Sequence, residues 1–150
     1  MSEQGDRTPD YPETDPRRIR VVAVHTDDVL TALEARERGR RSAVLRVTPP
    51  FSGRIRARIH VEGGEGDYDA SGQPLHLDPG SFVDEVPPFP TVDETEDRLR
   101  ATDSYTVERH REAHEAAVAE WRRALRDHRR EELTVETPAG HHRVRVAYLG

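Results

Sequence analysis

From Arg54 to Val61 the side chains change character at every step. Arg54, Arg56, Arg58 and His60 share one parity, and Ile55, Ala57, Ile59 and Val61 share the other. Successive residues of a strand point to opposite faces, so this pattern predicts a strand with one basic and one apolar face. Before it, Ala43–Val47 reads as a second strand, joined through the stiff loop Thr48-Pro49-Pro50-Phe51-Ser52-Gly53. The C-terminal segment repeats the scheme. His142, Val144, Val146 and Tyr148 face one way there, and Arg143, Arg145 and Ala147 the other. Two strands patterned alike predict one sheet, with helices on its apolar side and arginines on its open side.

The remaining elements follow from local signals. Arg17–His25 is β-branched and apolar enough for a strand buried on both faces. Thr26 is placed to cap a helix with Asp27 and Asp28 in its first turn, Val29, Leu30 and Leu33 on its buried stripe and Gly39 beyond its end. Pro74–Leu77 predicts a short strand, and Asp78-Pro79 a brief helical turn that buries Phe82 and Val83. Val86–Pro90, VPPFP, predicts a polyproline-like connector, and Asp93–Ala101 a short acidic helix. A long helix is predicted over Val107–Arg130, capped by Thr106, with Val107, His114, Val118, Trp121 and Leu125 as its stripe. A hairpin, Leu133–Thr137 and His142–Leu149 about Pro138-Ala139-Gly140, ends the chain. The expected fold is α+β: a mainly antiparallel sheet of about five strands, with the long C-terminal helix and a shorter N-terminal helix packed on one face. Residues 1–16, rich in acid and proline, are expected to be a disordered tail, and 17–150 a single domain.

Composition sharpens this picture. Leu, Ile, Val and Phe make only 20% of the chain, which is the compositional edge of foldability, so the clean periodicity is what argues for a packed core. Cysteine is absent, which excludes disulfides, thiolate metal sites and cysteine nucleophiles. No apolar run has the length of a membrane span, and the expected compartment is the cytoplasm. All 23 basic residues are arginine, against 29 acids and a net charge of −6. A lysine-free acidic chain suits a cytoplasm of high salt. The charge is also segregated: residues 17–61 hold eleven Arg and four acids, whereas residues 62–97 hold eleven acids and no Arg.

Candidate chemistry is sparse. The TPPFSGR loop presents Phe51, Ser52 and Arg54 at a sheet end, where ligands are often held; the plainer reading makes Phe51 a core plug. Asp27–Asp28 is explained by the helix dipole. Glu62–Asp69, EGGEGDYD, gathers four carboxylates without the spacing of a calcium loop. His110 and His114 stand four apart on one helix face, as two zinc-bound imidazoles do, with His60, His141 or His142 as a third ligand and Glu115 as the carboxylate of a hydrolase. No nucleotide-binding glycine loop or nucleophile elbow is present, and no cofactor is expected.

VLRVTPPFSGR with the alternating arginine strand, the central VPPFP, the helix ERHREAHEAAVAEWR and the turn TPAGHHRV together resemble a small haloarchaeal family of uncharacterised proteins. The resemblance covers most of residues 17–150. It implies a haloarchaeal source and a cytoplasmic location, and carries no activity to any residue. The residues therefore point to a noncatalytic binding module rather than an enzyme. Its arginine face, Arg54, Arg56, Arg58, Arg143 and Arg145, together with Phe51 and Ser52, is expected to meet nucleic acid or an acidic protein partner. A histidine metal site, or an arginine face neutralised from within by residues 62–97, are the alternatives.

Overall fold

A computed structural model of the chain describes residues 10–39, 43–61 and 72–150. The chain divides into two compact units, Met1–Phe82 with Arg130–Gly150, and Val83–Arg129.

The first unit contains β1 (Val21–His25), α1 (Thr26–Glu37), β2 (Ala43–Val47), β3 (Arg54–Arg56), β4 (Arg58–Val61), β5 (Leu75–Leu77), β6 (Glu132–Thr137) and β7 (Gly140–Leu149). These strands form two sheets, of order β3-β1-β7-β6 and β4-β2-β5. In the first, β1 lies parallel to both β3 and β7, and β6 closes the edge antiparallel to β7. Its central place is why β1 is a continuous apolar run, with Val22, Ala23 and Val24 all buried. The second sheet is antiparallel throughout. The α+β class is as expected, but the single sheet of about five strands is replaced by a four-stranded and a three-stranded sheet.

The cause lies at Ala57. The alternating segment Arg54–Val61 is not one strand: β3 pairs with β1, β4 pairs with β2, and Ala57 stands between them, fully buried. Its N–H donates to the Ala23 carbonyl (2.9 Å), the last bond of the β1–β3 ladder. A small residue at that point lets the backbone change partners inside the packed interior. Ile59 and Val61, expected on the core face, then fall on an edge strand and are 36% and 54% exposed.

Helix α1 packs on β2, β4 and the one-turn 3₁₀ helix Pro79–Phe82, burying Val29, Leu30, Ala32 and Leu33. Thr26 is its first residue and buried, not its cap; His25 holds the cap position without a side-chain bond. Gly39 follows the helix at φ +72°, a left-handed conformation that favours glycine.

The described chain begins upstream of residue 17. The Glu13 carbonyl accepts the Phe51 N–H (2.7 Å), and Arg18 donates to the carbonyls of Tyr11 (2.7 Å) and Phe51 (2.9 Å). Asp15 caps the 3₁₀ turn Pro16–Arg18 through the Arg17 N–H and also binds the Arg17 guanidinium. Within the segment 1–16 expected to be a disordered tail, these bonds join Tyr11, Glu13 and Asp15 to Arg17, Arg18 and Phe51.

The second unit is a helical hairpin of α2 (Val92–Ala101) and α3 (Val107–Arg126). Thr91 and Glu94 form a reciprocal capping box, and Thr106 caps α3 through the Arg109 N–H. Helix α3 stops at Arg126 and pairs with α2. Val107, expected on the stripe, is 74% exposed, while Val118, Trp121 and Leu125 are buried. The VPPFP segment is fastened by Trp121, whose indole N–H donates to the Pro87 carbonyl (2.9 Å) and whose ring meets Phe89 edge-on at 4.9 Å. Asp84 and His128 bond through both main chain (2.9 Å) and side chains (2.8 Å), tying the ends of the unit together.

Ala57→Leu should overpack the partner change and cost about 1–3 kcal/mol in urea unfolding. Phe51→Ala, which empties a buried ring site, should cost about 3–5 kcal/mol in the same measurement. The Asp15 carboxyl is held below its ordinary 3.8, first by the side-chain bond from Arg17 and then by the Arg17 N–H. A carboxylate depressed on folding stabilises above its unfolded value and loses that contribution as pH falls through its folded value. Asp15→Asn should therefore flatten the fall in stability below about pH 4, read from melting temperatures along an acid titration.

Candidate functional site

Register decides which arginines share a surface. Across the four-stranded sheet Val21 lies opposite both Arg54 and Arg145, and Ala23 lies opposite Arg56. Residues directly opposite one another project from the same face, as do residues two apart along a strand. Arg54, Arg56, Arg143 and Arg145 therefore stand on one side of this sheet, over the small side chains of Val21 and Ala23. Arg54, Arg143 and Arg145 are exposed and Arg56 is half-buried. Carboxylates on this side come from β6. Glu132 is opposite Arg145 and 3.7 Å from the Arg143 guanidinium, and Glu136 is 4.0 Å from His141. An exposed pair of this kind contributes about 0–1 kcal/mol. Among the described residues, Arg54, Arg56 and Arg145 have no acidic partner.

Arg58 belongs to the other sheet, which corrects the expectation of one layer. There Arg46 of β2 lies opposite Arg58 on one side and His76 on the other, so three basic residues form a single row. His60, two residues from Arg58, shares their face. Arg46 Nη1 lies 3.1 Å from His60 Nδ1 and 3.5 Å from His60 Nε2. The His60 and His76 rings stand 5.5 Å apart. Because the chain turns at Ala57, Arg56 from the first sheet joins this group. Arg46, Arg56, Arg58 and His60, with Thr48, Ile55 and Ile59, line a cleft of about 410 Å³ in whose wall no carboxylate stands among the described residues. The Arg56 Nε–H is occluded from solvent and has no acceptor among the described residues.

The other sequence-derived candidates are used differently. Phe51 is 2% exposed and serves the core, so it presents nothing at the surface. Ser52 is exposed, and its hydroxyl donates to the Arg54 carbonyl (2.8 Å) within the turn. His110 Nε2 donates to the Val92 carbonyl (3.0 Å), His114 Nδ1 meets the Thr95 hydroxyl (3.1 Å), and the two rings stack at 6.2 Å. His142 Nε2 donates to the Ile19 carbonyl (2.6 Å). Among the described residues no three His, Asp or Glu side chains gather as metal ligands. Glu62–Asp69, and with it residues 62–71 of the acidic run 62–97 proposed to cover the arginines, lie outside the described residues.

Arg46 and His76 were not legible as site residues. Arg46 is a lone arginine in the apolar run AVLRV, and His76 lies in a three-residue strand; a charge interrupting a buried strand was the available signal. No curated protein and no solved structure matches the chain. Residues 8–150 match the model of a family described as a domain of unknown function, DUF8009, and the chain belongs to that family.

Proposed function

We propose that this protein is a noncatalytic module that binds nucleic acid through phosphates, on the arginine side of its four-stranded sheet. The supporting observation is the register that sets Arg54, Arg56, Arg143 and Arg145 on one side, three of them without an acidic partner among the described residues. Guanidinium forks match phosphate oxygens in pairs and keep their charge at any working pH. The same side carries no Phe, Tyr or Trp among its described residues, so the reading is a grip on the backbone rather than stacking on bases. An acidic, lysine-free chain also fits the resemblance to haloarchaeal proteins, and we read it as a cytoplasmic protein of a high-salt cell. At about 1 M salt the screening length is about 3 Å, and only direct contacts of the kind arginine makes persist.

The test is retention of RNA, duplex DNA and polyaspartate as salt rises. Wild-type protein should bind both nucleic acids more tightly than polyaspartate. Arg143→Gln with Arg145→Gln should reduce the slope of log affinity against log salt by about 1 for each arginine–phosphate pair that the substitutions remove. Equal retention on polyaspartate would move the reading to an acidic protein partner, and an unchanged slope would remove this face from binding.

A further inference from the structure

We infer that the outer edge of β6 is a docking site for an extended segment of a partner protein, one in which basic and apolar residues alternate. That segment adds to the β3-β1-β7-β6 sheet as a further strand. The inference stands apart from the nucleic-acid reading, because it uses the rim of the sheet and not its arginines.

Register fixes which groups point outward. The Val146 N–H donates to the Glu131 carbonyl (2.8 Å), so Glu131 turns its main-chain groups toward β7. Main-chain groups alternate sides along a strand. Leu133 and Val135 therefore also turn theirs toward β7, and Glu132, Thr134 and Glu136 turn theirs away. Arg130 has the outward parity too, and its N–H donates to the Phe82 carbonyl (2.8 Å). The place beside the edge is thus taken at Arg130 and given up beyond it. Among the described residues, nothing bonds to the main-chain groups that Glu132, Thr134 and Glu136 turn outward. A cleft of about 700 Å³ opens along this stretch, lined by Glu132 and Thr134 with Gly80, Ser81 and Arg143.

The side chains state the chemistry of the occupant. Glu132, Thr134 and Glu136 are exposed on one face, and Leu133 and Val135 are buried on the other. A strand laid alongside continues both faces, with basic residues beside the two carboxylates and apolar residues beside Leu133 and Val135. The Glu136 side chain is 84% exposed, with His141 at 4.0 Å, so its carboxylate is open to a cation. A second copy of β6 fits poorly. Antiparallel pairing about Thr134 sets Glu132 of one copy opposite Glu136 of the other, and like charges directly opposite destabilise a sheet. The two acids thus oppose self-pairing along the edge and favour a basic strand.

A synthetic peptide of about six residues, the length of β6, alternating arginine and valine, should bind the full chain saturably in calorimetry. Its binding should slow amide hydrogen exchange at Glu132, Thr134 and Glu136. The twin peptide with glutamate in place of arginine should not bind. Thr134→Pro removes an outward N–H and leaves the ladder to β7 intact. Its melting temperature should stay near that of the wild type while affinity falls about tenfold. Glu132→Gln with Glu136→Gln should weaken binding by up to about fivefold for each ion pair lost. No saturable binding, equal binding of the two peptides, or slowed exchange confined to other residues overturns the inference, as does unchanged affinity in Thr134→Pro. A wild-type chain that is dimeric in solution and becomes monomeric in Thr134→Pro assigns the edge to a second copy and overturns it too.

Discussion

A backbone amide settles the arrangement of the first unit. The Ala57 N–H completes the ladder between β1 and β3, and one residue later the same chain is hydrogen-bonding to β2 in another sheet. That exchange takes place where the side chain is wholly buried, so it requires a residue that is both small and apolar. A buried amide left without an acceptor costs about 1–3 kcal/mol, and the Ala23 carbonyl removes that cost. A basic run that reads as a flat stripe is thereby folded into a corner. Arg54 and Arg56 go to one sheet, Arg58 and His60 to the other, and a cleft opens between them.

The charges make sense in that geometry. Repulsion between exposed guanidinium groups is weak in water and weaker in salt, so Arg54, Arg143 and Arg145 cost little where they stand. Arg46 and Arg56 are different, because they are half-buried, and with the exposed Arg58 they stand at a concave junction. Acids within the described sheet are placed to temper the outer face, as Glu132 does beside Arg143. The two groups of arginine therefore stand in different surroundings, although the sequence writes them in one alternating pattern.

In the helical hairpin the polar residues serve local architecture. His110 and His114 each bond to an α2 neighbour or its entry, Val92 and Thr95. Spacing of four residues aligns imidazoles for a metal, but it equally aligns them for the partner helix, and here the partner helix supplies a hydrogen-bond partner to each. Trp121 fastens the proline segment through its indole N–H while its ring is buried, which satisfies the polar atom that burial would otherwise strand.

What the sequence by itself determined is what depends on near neighbours. The capping of α3 by Thr106, the glycine after α1 and the turn that buries Phe82 are set by residues within a few positions of each other, and each is found where those residues place it. The pairing of strands is set by residues far apart. Nothing in RIRARIHV states that its first half lies parallel to β1 and its second half antiparallel to β2, since alternation serves either partner and either direction. The same holds for the site. The alternating arginines were visible as a charged face, but Arg46 and His76 joined them only through cross-strand register, and Phe51 left them because the folded interior had room for its ring.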